Sequence, residues 1–581
     1  MSTANWIEFV VFLLLLCIST PLLGNYMAKV YGNKKAPGDR FFLPVERAIY
    51  RVSGIDSEGE QRWTAYARSV LVFSLVSVLL TYIVFRLQGH LPMNPDHLGD
   101  TKPGLSFSES IAFMTNTDWQ SYVPEATLGI FAQLIGVFVQ FFLSAAVGMA
   151  IAAAFIRGVA RTRNTTIGNF WVDLVRSITR ILVPISIVFA FVFMSQGVIQ
   201  NFHAQKSVTT TATQTVDSTG AAVTAQKLPG GPVASWMPIE ALGLNGGGYF
   251  NANASHPFEN PNPITNMAIL WLLAMIPFAF PWTFGKMIGS FRQGMVVLTS
   301  MAVLFVMPLA LTAVLEGRGN NKMPPAGVSV AATSTQTGGN LEGKDLRIGT
   351  AGSAINAAAV TGTAAGMSNS AHESYVPLAG SLPLFNMMLG EVTPGGIGSG
   401  LWGKLILVLV SVFIAGLMVG RTPEYLGKKI RGPDVKLAAI YILIMPLIVL
   451  TFAAATLVMG SPLRSVFASG PHGLTEIVYA YTSVAHNNGS GFAGISANTQ
   501  WFNTTLGIAM LAGRFLLIIP ALAIAGALGR KRVVPTSAGT LRTDTPLFTV
   551  MLMAVTVIVT GLTYFPVLAL GPLAEHFAGH F

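Results

Sequence analysis

Charge is scarce in this chain. Asp, Glu, Lys and Arg make up 10 % of its 581 residues, while 52 % are hydrophobic. Soluble globular chains are nearer to about a quarter charged. The mean hydropathy of +0.58 points the same way. The shortage excludes a string of soluble domains and leaves a polytopic membrane protein. Cysteine is nearly absent too. The single Cys17 lies in an apolar run, which excludes an internal disulfide and a cysteine metal cluster. Two nucleotide signatures are missing. The glycines of LNGGGYF lack the terminal Lys-Ser/Thr of a phosphate loop, and no Asp-Lys-Thr-Gly-Thr phosphorylation sequence occurs. The chain is therefore not expected to bind a nucleotide or hydrolyse ATP alone. Its net charge of +10 does not point to nucleic acid, because the basic residues cluster in short loops between apolar runs.

What is present is length and grease. Ten apolar runs are expected to span: residues 6–28, 67–88, 128–155, 174–196, 265–285, 294–315, 401–419, 437–459, 502–528 and 547–570. Each reaches the length needed to cross about 30 Å of hydrocarbon at about 1.5 Å per residue. The first run lacks a basic leader and a small-residue cleavage pattern, so it reads as a membrane helix. Basic residues gather in alternate loops, from Lys29 to Arg68, at Arg157–Arg163, at Lys286 and Arg292, at 421–436 and at Arg530–Arg542. Those loops are expected to be cytoplasmic, with both termini outside. Residues 316–380, rich in Ala, Gly, Thr and Ser, cannot span and are expected to form a structured outer loop.

One stretch resists this scheme. Residues 242–262, LGLNGGGYFNANASHPFENPN, are polar and glycine-rich between apolar runs. In a membrane, irregular backbone is tolerated only where protein buries it or where it lines a cavity. Three companions share its form, a short helix running into polar or glycine-rich backbone and then into a span. The four helices are expected at 107–114, 235–242, 382–390 and 474–484. Their loops begin at Thr115, Gly243, Glu391 and Ala485. The second and fourth also share tails, GYFNANA against GFAGISAN, a sign of internal repetition. The expected fold is all-α: four membrane–pore–membrane repeats in pseudo-fourfold arrangement, with one extra helix at each end. The repeats take 65–157, 172–286, 292–421 and 436–530. The extra helices take 1–30 and 545–581, the latter with the C-terminal tail.

Four such units can surround one axis, with each short helix directing its partly negative C-terminus inward. Rings of carbonyl oxygens can replace the hydration shell of a monovalent cation such as K+. Few carboxylates stand in the loops, which disfavours a calcium-type site. The candidate filter residues, acting mainly through backbone, are Thr115, Asn116, Thr117, Asn245, Gly246, Gly247, Thr393, Gly395, Gly396, Asn487, Asn488 and Gly489. The asparagines are expected chiefly to brace neighbouring loops. Asp118, Gln120 and Glu391 are candidates for the mouth or ion path. Arg514, inside the ninth run, is expected to face the bundle and hinder straight passage. His486 has no partner at ligand spacing in the sequence and is not read as a metal ligand.

These residues carry a resemblance. TNTDWQSY (115–122), GLNGGGYFNANASHPFENPNP (243–263), EVTPGGIGSGLWG (391–403) and YTSVAHNNGSGFAG (481–494) are similar to the family of potassium-binding subunits (KdpA) of the bacterial Kdp potassium pump. His486 stands where that family often has asparagine. The resemblance implies a non-catalytic, potassium-binding and translocating subunit in the bacterial inner membrane. It implies three partners: the P-type ATPase KdpB, the single-span KdpC and the small KdpF. It also implies that K+ enters the filter from outside and turns toward the ATPase partner. Membrane lipids are the remaining expected partners. A stand-alone potassium transporter or channel, and a non-transporting scaffold, are the rival readings. The extra first and last spans and the long motifs disfavour the former; the glycine-rich loops disfavour the latter.

Overall fold

The structure is a computed structural model that describes residues 3–203, 205–209, 225–418, 420, 422–535 and 540–578. The middle of the Thr/Ala/Gln-rich loop before residue 225, Arg421 and the end of the expected C-terminal tail lie outside the described residues. The chain is mainly helical. Ten helices are long and apolar enough to cross a bilayer: Trp6–Tyr31, Trp63–Arg86, Ile130–Ala160, Phe170–Ser195, Pro263–Met287, Phe291–Gly317, Ser399–Met418, Gly432–Val458, Gln500–Arg530 and Pro546–Ala578. These are spans one to ten. Each contains the corresponding expected apolar run nearly whole. The protein is a multi-pass membrane protein.

Burial orders the spans. Span five is the most enclosed, at 83 % of its apolar window, whereas spans one, two, four, eight and ten reach 33 % or less. Span one lies along span five. Trp271 Nε1 donates to Ser19 Oγ at 3.1 Å, and Thr283 Oγ1 donates to the Gly24 carbonyl at 3.1 Å.

Four further short helices are buried within the bundle: Pro103–Met114, Val233–Leu242, Gly349–Gly362 and Gly470–Ala485. They are short helices one to four. The first, second and fourth stand where the sequence places them. The third does not. It lies inside the stretch expected to be an outer loop, and every one of its residues is buried. The expected third helix exists as Pro377–Met388, but it leads through residues 389–398 into Ser399. Those ten residues are a break between two helices. The misreading has a physical cause: a helix broken by glycines and resumed has the same local pattern as a short helix, a loop and a span.

The basic loops do local work. Lys428 Nζ donates to the Val159 carbonyl at 2.6 Å, capping the C-terminal end of span three with positive charge. Arg157, near that end, makes a two-pronged contact with Asp173 at the start of span four, at 2.6 and 2.7 Å. The amphipathic helix Asp39–Val52 is tied to span four through Arg180, which contacts both Asp39 and Glu46. Three two-stranded ribbons also occur among the described residues.

Candidate functional site

The four short helices end in one and the same turn. After each helix, the second residue adopts left-handed backbone: Asn116 (φ 59°), Leu244 (55°), Ala364 (54°) and Asn487 (59°). The third residue then returns its N–H to a carbonyl five positions back. Thr117 bonds Ala112 at 3.0 Å, Asn245 bonds Glu240 at 2.9 Å, Ala365 bonds Val360 at 3.0 Å and Asn488 bonds Ser483 at 2.8 Å. This is the Schellman closure of a helix C-terminus. Four occurrences at equivalent positions relate four units more strongly than shared letters do. Glycine is the usual left-handed residue there, and none of the four is glycine.

The turns touch in a closed ring. Asn116 Nδ2 donates to the Leu244 carbonyl at 2.8 Å, and Asn245 Nδ2 donates to Asp118 Oδ2 at 2.9 Å, joining loops one and two. A Cβ on Gly366 would stand 2.8 Å from Gly246 Cα and 2.9 Å from the Gly489 carbonyl carbon, so loop three abuts both loop two and loop four. Asn488 Nδ2 donates to the Val360 carbonyl at 3.0 Å, and Asn487 Nδ2 donates to Thr117 Oγ1 at 2.8 Å, closing four onto three and one. Gly489 has φ 87°, and a Cβ there would overlap the Thr117 carbonyl oxygen. Only glycine serves both needs. The expected bracing role of the asparagines is seen in these bonds.

Above the ring opens a cavity of about 910 Å3 whose wall includes Asp118, Gly246, Gly366 and Gly489, one residue from each loop, together with Gln120. Gln120 Nε2 also donates to the Gly248 carbonyl at 3.1 Å. Side chains hold the carbonyls of loop two: Asn253 Nδ2 bonds Gly246 O, and Trp236 Nε1 bonds Gly247 O at 2.9 Å. Trp236 in turn packs edge-on against Phe141 and Tyr249, with centroids 5.0 and 5.2 Å apart. Thr115 Oγ1 lies 2.7 Å from Thr117 Oγ1 within loop one.

Thr393, Gly395 and Gly396 stand elsewhere. They belong to the break in residues 389–398, beneath the turn of short helix three. Gly395 N–H donates to the Gly362 carbonyl at 2.9 Å, and Gly396 faces the Ala364 methyl. The Schellman closure at the third position falls instead on residues 363–366, which the sequence reading passes over. Short helix three is mostly Ala, Gly, Thr and Ser, with Ile355 and Val360 its only large apolar side chains, so its stretch reads as loop. Its run AINAAAV is the available signal, because alanine is the strongest helix former.

Two buried carboxylates and one buried arginine adjoin the ring. Asp118 lines the cavity. Glu391 sits in the break and accepts from Asn488 Nδ2 at 2.8 Å. Arg514, at 7 % exposure, donates to the Ser144 carbonyl at 3.2 Å and interacts electrostatically with both acids. Ser144 Oγ in turn donates to Asn116 Oδ1 at 2.9 Å, so the arginine touches the framework of loop one. His486 occupies the first position of loop four, with Nδ1 2.9 Å from the Thr482 carbonyl.

Comparison with known proteins identifies the family. The family model described as "Potassium-transporting ATPase A subunit", KdpA, matches residues 10–577. A "Potassium-transporting ATPase potassium-binding subunit" from Mycobacterium tuberculosis (strain ATCC 25618 / H37Rv) is 50 % identical over 99 % of both chains. The same-named protein from Acidobacterium capsulatum is 47 % identical, covering 99 % of this chain and 98 % of its own. Among solved structures, the potassium transporter TrkH from Vibrio parahaemolyticus aligns over 89 % of this chain and 98 % of its own, with 13 % identity and a TM-score of 0.49. With ten spans, four buried helices closing a ring and relatives matched from end to end, this chain belongs to the potassium-transporting ATPase A subunit family, KdpA.

Proposed function

We propose that this chain binds and translocates K+ in a bacterial ATP-driven uptake pump. K+ is selected at the four-loop ring and passed on to a P-type ATPase partner. The observation that carries the reading is the ring itself. Four helix ends closed by the same turn meet on the floor of one cavity, and each contributes about half a negative charge to the centre. Backbone oxygens and helix dipoles suit a monovalent cation, whose dehydration they offset. The filter in this reading is 115–118, 243–246, 363–366 and 486–489. Thr393, Gly395 and Gly396 lie just past it, in the broken seventh span. That break and Arg514 hinder straight passage, since a buried cation of the protein repels another cation on the same axis.

The relatives' names support a separate ATPase partner. They denote a potassium-binding component of an ATPase, and this chain lacks a phosphate loop and the Asp-Lys-Thr-Gly-Thr sequence. A separate ATPase chain, KdpB, hydrolyses the nucleotide, and KdpC and KdpF complete the assembly. The cavity faces outward, both termini are extracytoplasmic and the membrane is the bacterial inner membrane, with the basic loops inside.

The test is K+ binding to the purified chain, followed by rubidium competition, in Gly366→Asp and Gly395→Asp variants. Loss of high-affinity binding in Gly366→Asp, with binding retained in Gly395→Asp, is the expected outcome. Unchanged binding in Gly366→Asp overturns the filter. Uptake into proteoliposomes by the chain alone, without ATPase partner or ATP, overturns the pump assignment in favour of a stand-alone transporter.

A further inference from the structure

Three side chains with metal-binding chemistry meet outside the ring, and one of them, Glu476, belongs to the wall of the cavity. His472 and Glu476 are one turn apart at the start of short helix four. Glu373 follows short helix three, 99 positions before His472. One ligand atom of each lies within 4.8 Å of those of the other two.

Their orientation is controlled. His472 Nδ1 is 2.9 Å from Glu575 Oε1, supplied by the C-terminal end of span ten. A carboxylate on one ring nitrogen fixes the tautomer and leaves the other nitrogen as a ligand. That nitrogen, Nε2, faces Glu476 Oε1 at 4.0 Å. The separation is too long for a hydrogen bond, and it lies inside the roughly 4.2 Å that two ligands each about 2.1 Å from one ion can span, so a small side-chain rotation brings both onto one ion. Glu476 is only 1 % exposed, and its Oε2 is already engaged by the Ala468 N–H at 3.3 Å.

The backbone beside the cluster is shaped to the same carboxylates. Glu476 Oε1 and Glu373 Oε2 converge on the face of Gly494, where a Cβ would overlap the first and stand 2.8 Å from the second. Two carboxylates thus share one small space. Among the described residues, neither they nor Glu575 form an ion pair with lysine or arginine; His472 is their cationic partner. Even a protonated imidazole leaves this group of three acids at a net charge of about −2 at neutral pH.

We propose that Glu373, His472 and Glu476 form a divalent transition-metal site, with Glu575 positioning His472. One imidazole and two carboxylates suit Zn2+ or Mn2+, and water completes the coordination. The ion staples the end of span ten and the segment after short helix three to short helix four. Binding of this kind raises the stability of the folded chain in proportion to the logarithm of free metal.

The experiment is calorimetric titration of the full-length purified protein with Zn2+ alone, paired with thermal melts. The wild type is expected to bind about one Zn2+ per chain and to melt higher with it. His472→Gln and Glu373→Gln should abolish both effects while melting cooperatively without metal. Glu575→Gln should weaken binding about 10- to 100-fold, as loss of an orienting carboxylate does. Zinc binding of equal affinity in Glu373→Gln and His472→Gln overturns the site. So does a wild type that shows no zinc-dependent rise in melting temperature, in which case protonated His472 alone bridges the acids.

Discussion

At the residue scale, the ring depends on atoms that are missing. A Cβ at Gly489 would overlap the Thr117 carbonyl oxygen, and its φ of 87° is left-handed. Gly489→Ala is expected to break the junction of loops one and four, lowering stability by about 1–3 kcal/mol through backbone strain and weakening K+ binding in parallel. Gly460→Ala, where nothing lies within 4 Å, should leave both within about 0.5 kcal/mol of wild type. Thermal melts and rubidium binding read both variants. His256, in the tail of loop two, makes a second case. Its Nδ1 accepts the Phe258 N–H at 3.1 Å, and its ring lies over Phe250 with centroids 4.1 Å apart. Burial, then the nearby Arg347, holds its pKa down at about 4, against 6.5 when unperturbed. The unfolded chain therefore binds the proton first, and stability falls as pH drops from about 6.5 towards 4. His256→Gln should flatten the melting temperature between pH 7 and pH 5; an unchanged slope would remove His256 from the account.

At the element scale, the helix-end turn is the unit that repeats. Its left-handed position is filled by Asn, Leu, Ala and Asn rather than glycine, at a cost of roughly 1–2 kcal/mol for a residue with a Cβ. Ala364 is the clean place to measure this, because its side chain is small. Ala364→Gly is expected to raise the stability of the protein by about 1 kcal/mol, and the β-branched Ala364→Val to lower it by more than that. The opposite signs, read from denaturation midpoints, distinguish turn strain from simple loss of buried methyl area. The third unit also explains where local reading stops. Short helix three and the break at 389–398 each carry half of the expected signal: one has the helix and the turn, the other has the glycines. The helices and loops of units one, two and four are legible because each loop carries asparagine, joined by glycine in the second and fourth. Loop three, TAAG, has neither asparagine nor an apolar helix before it.

At the scale of the whole molecule, the proposed orientation puts the basic loops on the cytoplasmic face and the cavity on the outer one. Replacing the native Cys17 gives a background for cysteine labelling. In intact cells, Gly460→Cys should react with a membrane-impermeant maleimide, whereas Arg532→Cys should react only after permeabilisation. The reverse pattern would invert the orientation. Span one, on span five, and span ten, whose Thr556 lies 3.2 Å from the buried Lys404 Nζ of span seven, sit outside the four units and brace them.

Much of this protein is written locally. Hydropathy alone sets ten spans, because about 30 Å of hydrocarbon demands some 20 apolar residues whatever their neighbours. Basic loops suggest orientation for an equally local reason, and long motifs carry the family. Adjacency is different. That Asn487 braces Thr117, that Gly366 rather than Gly395 abuts Gly246 and Gly489, and that Glu373 meets His472 are facts about segments about 100 to 370 residues apart. Only packing brings such segments together, since chain order leaves open which of two glycine-rich stretches reaches the axis and which merely interrupts a helix beside it.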